Sequence, residues 1–451
     1  MKIQKQVPLT EGPILKSLTG LAVPIMISSF LGTLYNITDM AWIGLLGSKA
    51  VAAVGVGGMY VWLSQGLASL ARMGGQVHVA QCLGRGDKEQ AHRYAKTAVQ
   101  LSILLGLAFA AVSLLFTDPL VGFFKLEGAK TILDAKIYMR ITCGLILFSF
   151  LNLTLTGLYT AQGDSKTPFV ANFIGLLINL LLDPLLILGV GPFPRIEVAG
   201  AAVATVSAQF VVMLVMMVGV FRSKKEENVL KGIRLFQPFS KEELGNICKI
   251  GGPTAIQGMV YCMISMVLTR MVAAFGAEAI ATQRVGGQIE SVSWNTADGF
   301  AAALNAFVGQ NYGAKKMDRV QKGYRISFWT VAIWGALIML AFIIFPGPIA
   351  GVFFHEEKAM EIAISYLIII GFSEAFMCVE LMTVGALSGL GKTKLCSVIS
   401  ITATSMRIPL AMVLSRTSLG LDGIWWALTL TSVAKGIIFY LTFRYQMSEK
   451  S

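Results

Sequence analysis

Apolar positions come in long unbroken runs along this chain, and polar positions are confined to short breaks between them. The first run, "LTGLAVPIMISSFLGTLYNIT", carries no charge between Lys16 and Asp39. At about 1.5 Å rise per residue, a helix of that length crosses a hydrocarbon core of about 30 Å. Similar runs recur and predict spans at about 17–40, 50–78, 93–116, 136–160, 168–190, 199–221, 245–275, 279–308, 324–346, 360–386, 395–415 and 422–444. The alternation that a membrane barrel needs is absent, and only helices or closed barrels satisfy their backbone in lipid. The pattern therefore predicts an all-α membrane protein with twelve transmembrane helices. The basic stretch "MKIQKQVPLTEGPILK" precedes an apolar run, as a signal peptide's flank does. That run is too long and lacks a small-x-small cleavage site, so it is predicted as the first span.

Composition agrees. Of 451 residues, 55% are hydrophobic and 14% charged, against about 25% charged in soluble proteins. The net charge of +12 would suit nucleic acid, but its distribution marks orientation instead. The segments on the N-terminal side of the predicted topology carry 24 Lys and Arg; the opposite loops carry six, Lys49, Lys125, Lys130, Arg195, Lys358 and Arg416. The positive-inside rule then predicts a cytoplasmic-membrane protein with both termini cytoplasmic and no nucleic-acid partner.

Sliding the sequence on itself by 229 positions superposes Pro24 on Pro253, Gly47 on Gly276, the "VGG" at Val56 on that at Val285, and Gln81 on Gln310. A slide of 228 pairs Gly157 with Gly385 and Gly163 with Gly391. Two six-helix lobes follow, 1–221 and 245–451, joined by a cytoplasmic linker at 222–244. An even number of helices per lobe makes both insert in the same sense, related by a pseudo-two-fold axis along the membrane normal. Such an arrangement suits a carrier whose halves move about a central site. The prolines within or beside spans (Pro24, Pro184, Pro253, Pro409) allow helices to bend.

Candidate chemistry lies in the charges that interrupt apolar runs, because each is expensive in lipid and tends to face a cavity. Asp39 ends the first run; Tyr35 and Asn36 share its helical face. Asn179 and Asp183 are four apart and share a face of the fifth helix. Glu290 and Asp298 fall in the eighth helix, Glu374 and Glu380 in the tenth, with Arg72, Arg270, Arg284 and Arg407 as candidate partners. The 21 Met and 26 Phe suit a promiscuous amphipathic pocket. No nucleophile–base pair is visible, and no enzymatic activity is expected. His78, His92 and His355 have no metal-ligand spacing, and Cys82, Cys143, Cys248, Cys262, Cys378 and Cys396 are expected as free thiols. The string "ALSGLGKT" at Ala386–Thr393 misses the phosphate-loop pattern at its first position and lacks a preceding strand, so no nucleotide cofactor is expected.

Several strings, in order and spacing, resemble the multidrug and toxic compound extrusion (MATE) family: Pro24 and "DMAWIGLLG" at Asp39, "QCLGRGD" at Gln81, "GLYTAQGDSKTP" at Gly157, "NLLLDP" at Asn179, "GAAVATVSAQ" at Gly200 and "VGQNYGA" at Val308. The resemblance implies two six-helix lobes around a central cavity and cation-coupled export of amphipathic, often cationic organic compounds, by a monomer in the lipid bilayer. The first lobe is most like the branch named for the DNA-damage-inducible transporter. That likeness implies protonation at Asp39, accompanied by Asn179, Asp183 and Thr205, with Tyr35, Asn36, Glu290, Asp298 and Glu374 as substrate-cavity candidates. Protons are the expected coupling ion and sodium the alternative. The sequence departs from the sodium-coupled branch of norfloxacin exporters: the seventh helix has no acid, and "GKTKLCS" stands where an aspartate follows the tenth. A flippase of lipid-linked oligosaccharides or peptidoglycan precursors is the alternative function. It would favour a cationic cavity for pyrophosphate, whereas Asp39 and Asp183 are acidic.

Overall fold

The structure is a computed structural model and describes residues 6–126, 128–189, 194–223, 228–235, 237–238, 240–354 and 356–448. His355 and part of the expected linker (224–227, 236 and 239) lie outside the described residues. Among the described residues the regular elements are all helices: α1 (Ile14–Gly44), α2 (Ser48–Arg85), α3 (Lys88–Leu115), α4 (Thr117–Gly122), α5 (Ala129–Gly144), α6 (Leu147–Ala161), α7 (Lys166–Ile187) and α8 (Glu197–Arg222), then α9 (Lys241–Ala273), α10 (Ala277–Gly313), α11 (Met317–Ile344), α12 (Pro346–Gly351), α13 (Glu357–Gly371), α14 (Glu374–Gly389), α15 (Thr393–Ser405), α16 (Arg407–Leu414) and α17 (Leu421–Ser448).

The sequence repeat is a structural repeat. Each of α2 to α6 has a counterpart in α10 to α14; α7 corresponds to α15 with α16, and α8 to α17. The turn before α2 is made by Gly47 at φ 104°, and the turn before α10 by Gly276 at φ 110°. Both angles are in the region open to glycine, which explains why these two positions keep their type. Close approaches repeat as well. Gly57 of α2 lies flat against the ring of Tyr138 on α5, and Gly286 of α10 against Tyr366 on α13, leaving no room for a Cβ at either. Both expected long spans at 136–160 and 360–386 break in the middle: α5 and α6 meet at 43°, α13 and α14 at 51°.

Among the described residues, nine helices are long and apolar enough to cross a membrane, or eleven if each bent pair is one span. The remaining expected span, 279–308, lies in α10, which has 37 residues but is not apolar enough to qualify. Arg284, Glu290 and Asp298 break its apolar stretches, so it is long enough to cross but too polar to face lipid throughout.

Contacts divide the chain into two units, Met1–Pro8 with Ile27–Gly258, and Leu9–Met26 with Met259–Ser451. These limits differ from the expected 1–221 and 245–451, because they fall inside α1 and α9 and not in the linker. Local bonds explain the difference. In the second unit, Asn311 donates to the Leu9 carbonyl at 3.0 Å and Arg319 to those of Gly12 and Glu11 at 2.9 Å. In the first unit, Asn246 at the start of α9 donates to Tyr94 Oη at 2.9 Å, and Gly74 packs on the Ile247 carbonyl. The first unit's main core joins Ala91, Ala95 and Ala98 of α3 to Leu155 and Leu158 of α6 and Val212 and Met216 of α8. The alanines let the helix backbones approach closely, as packing in lipid requires. In the second unit, Trp425 of α17, Tyr366 of α13 and Leu268 of α9 share one core.

Candidate functional site

Asp39 sits in the last two turns of α1 and is buried; Asp183 on α7 is wholly buried, as is Asn179 one turn before it. The four-residue spacing stacks Asn179 over Asp183, and the Asn179 amide donates to Asp183 Oδ1 at 3.2 Å. Pro184 follows directly and has no amide hydrogen to give the Leu180 carbonyl, which loosens α7 beside the carboxylate. Tyr35, one turn before Asp39, donates from Oη to Thr205 Oγ1 on α8 at 2.9 Å. Asp39 and Asp183 lie within electrostatic reach of each other, and Tyr138 of α5 lies within reach of both. Asp39 Oδ1, Asn179 Oδ1 and Asp183 Oδ2 are buried without a hydrogen-bond partner. Among the described residues, no Lys, Arg or His forms an ion pair with either carboxylate.

Two carboxylates held this way cannot both stay charged without a counter-charge, since the penalty for burying an ion is several kcal/mol even after relaxation. A proton on one of them removes the charge and turns an acceptor into a donor, which the orphaned oxygens of Asn179 and Asp183 can then receive. The sequence expectations for Asp39, Asp183, Asn179, Thr205 and Tyr35 thus fall together in one cluster. Asn36 does not join it; it is exposed. Tyr35 is offset from Asp39 by about 40° around the helix and Asn36 by about 60° on the other side, which accounts for the split. Tyr138 was not anticipated. Its signal was available, because Tyr366 stands 228 positions later in the repeat.

The second unit holds acids of its own, Glu290 partly buried and Glu374 wholly buried. Glu290 of α10 accepts a hydrogen bond from Tyr366 Oη, and Glu374, the first residue of α14, is wholly buried. Asp298, expected as a substrate-cavity candidate, is exposed. The anticipated arginine partners also differ. Arg270 and Arg284 are exposed. Arg407 is buried but donates to hydroxyls, Nε to Thr431 Oγ1 at 3.0 Å and Nη2 to Ser432 Oγ at 2.9 Å. The partner of Glu380 is Lys435 of α17, with Nζ 2.8 Å from Oε1 and both side chains buried. A count of positive charge in loops does not reach Lys435, which interrupts the apolar run "TSVAKGIIFYLT" within a span. All six cysteines are free, and only Cys248 is exposed. Among the described residues, no group of three or more His, Cys, Asp or Glu is placed to hold a metal ion.

The MatE family model matches this chain twice, at residues 24–185 and 253–413; the two matches start 229 residues apart and end 228 apart. The probable multidrug resistance protein NorM of Thermotoga maritima is 29% identical over 454 residues, covering 97% of this chain and 95% of that protein. The probable multidrug resistance protein YoeA of Bacillus subtilis is 28% identical, covering 91% and 89%. Among solved structures, a MOP superfamily transporter from Pyrococcus furiosus superposes with a TM-score of 0.90 at 25% identity, over 99% of both chains. With a family match in each half of an all-helical, lipid-suited chain, this protein belongs to the MatE family of multi-pass membrane transporters that carry out multidrug efflux, and it is a transporter rather than an enzyme.

Proposed function

We propose that the chain exports amphipathic organic cations in exchange for protons, with Asp39 and Asp183 carrying the exchanged charge. The observation that supports this most is the pair of buried carboxylates with orphaned oxygens on Asp39, Asp183 and Asn179 and, among the described residues, no basic side chain in an ion pair with either carboxylate. Tyr35 and Asn36, next to Asp39 on α1, are the substrate contacts of this half. Asn179 and Thr205 take up the hydrogen bonds that rearrange on protonation. The flippase reading is less favoured, because pyrophosphate asks for cations where this cluster offers acids. Reconstituted vesicles loaded with ethidium test the coupling. An imposed pH gradient should drive export, and an equal sodium gradient at uniform pH should not. Export under the sodium gradient alone would overturn proton coupling in favour of sodium.

The protein acts in this reading as a monomer in the cytoplasmic membrane, with lobes 1–221 and 245–451 joined by the 222–244 segment and both termini inside. The support is the 24-to-six bias in Lys and Arg. With Cys248 replaced by serine to remove the exposed native thiol, Lys322→Cys should label with a membrane-impermeant maleimide only from the cytoplasmic side. Lys49→Cys should label only from outside. The opposite pattern would invert the topology.

A further inference from the structure

The first unit has a polar cavity at the far end of α2 from Asp39 and Asp183. Tyr138, which bears on both carboxylates, packs on Gly57. Leu83, in the wall of the cavity, lies 26 residues beyond Gly57 on α2, on the order of 40 Å away at helical rise. The cavity measures about 400 Å³, within the range of roughly 300–1,000 Å³ of small-molecule sites.

Three stretches of chain supply its polar wall. The first turns of α3 bring Lys88, Glu89 and His92, the end of α6 brings Gln162, and the segment after α8 brings Asn228 and Lys231. Bonds among these stretches fix the wall in advance. Gln162, 4% exposed, donates from Nε2 to the Leu158 carbonyl at 3.0 Å and accepts the Val229 amide on Oε1 at 3.0 Å. Asn228 Oδ1 accepts the Leu230 amide at 2.9 Å. His92 donates from Nδ1 to the Val229 carbonyl at 2.6 Å. A carbonyl only accepts, so the proton of the neutral ring is on Nδ1 and Nε2 keeps its lone pair. Two turns further along α3, Gln100 donates to the Leu235 and Gln237 carbonyls at 2.8 and 2.7 Å. Val229 and Gln237 are thus both tied to α3.

Among the described residues of the wall, Lys88 and Lys231 are opposed by one acid, Glu89. Lys231 directs two N–H groups to the Phe221 and Ser223 carbonyls at the end of α8, and its third is left for a ligand. The helix end itself is not the site, because Asp87 already accepts the Gln90 amide at 2.9 Å. The side chains are what select. Two ammonium groups call for an anion, and Nε2 of His92 calls for a hydrogen. A phosphate group offers both, a charged oxygen and a hydroxyl; a carboxylate offers no hydrogen to Nε2. Once protonated, Nε2 instead donates to a phosphate oxygen. We propose that this cavity binds a phosphate group, carried by a soluble ester or by a lipid headgroup, and that the ligand bridges α3 to the segment after α8 through Lys88 and Lys231. The site goes beyond proton-coupled export and does not depend on the role of Asp39.

Isothermal titration calorimetry on the purified full chain, in neutral detergent at fixed ionic strength, tests it with three probes: inorganic phosphate, glycerol 3-phosphate and short-chain phosphatidylglycerol. Saturable binding of either soluble probe assigns a soluble ligand, and binding of phosphatidylglycerol alone assigns a headgroup. In both cases Lys88→Gln and Lys231→Gln should each weaken binding about tenfold. Glu89→Gln should tighten it about threefold, by removing the opposing charge. That gain is one that damage to the fold does not produce, and it serves if Lys231→Gln, which also uncaps α8, does not fold. Failure of all three probes to bind, or binding unchanged in both Lys88→Gln and Glu89→Gln, would overturn the site. Asp39→Asn should bind the same probe as the wild type, so failure of the coupling reading shows separately, as ethidium export by that variant.

Discussion

Asp39→Asn should insert and fold like the wild type, yet its ethidium export under a pH gradient should fall to the level of empty vesicles. Asparagine has nearly the shape of the protonated acid and removes a buried, unpaired charge, so folding is not expected to suffer. What it removes is the ability to change charge. A proton gradient can drive export only if the proton and the substrate favour different conformations, by a differential free energy that the proton supplies. A side chain that cannot bind or release a proton supplies none. Asp39→Glu keeps the titrating group at a longer reach and should retain part of the activity. Wild-type export rates in Asp39→Asn would sink the coupling role and leave Asp39 as a structural carboxylate at a helix end.

Lys435→Met should be the most destabilising of the substitutions considered, by about 3–5 kcal/mol, because it strands Glu380 in the interior of the second unit. Adding Glu380→Gln should recover most of that loss, since replacing both partners of a buried pair is often neutral or better. The protein contains its own precedent for a neutral version. Asn152, 228 positions before Glu380, donates to the Gln209 carbonyl and to Gln209 Oε1 at 2.8 Å each. Thermal unfolding of the purified protein in one detergent compares the three variants. A single variant as stable as the wild type would mean that the pair is not closed.

Much of this architecture was legible in the sequence because lipid leaves few alternatives. Apolar run length marked the helices, and the glycines and prolines in register at 229 exposed the repeat. Asp39 and Asp183 stood out as acids in apolar runs, and the i, i+4 spacing joined Asn179 to Asp183. Charge counted in loops, however, hides a lysine within a span, and Lys435 was lost that way. Helical spacing names a face but not what covers it, so it does not separate exposed Asn36 from buried Asp39 on α1. The unit limits inside α1 and α9 depend on bonds such as Asn311 to the Leu9 carbonyl. That pair is separated by 302 residues, and no local pattern records it.

The polarity of α10 bears on how the protein is made. A helix carrying Arg284, Glu290 and Asp298 partitions poorly into lipid alone. It reaches the ribosome exit well before α14, the helix against which it packs and which begins at Glu374. During synthesis α10 must therefore wait beside the insertion machinery or its neighbours, with its buried face not yet covered. Chains that stop before Glu374 would present that face to the membrane's quality-control proteases, and completion of the second half becomes the event that releases it.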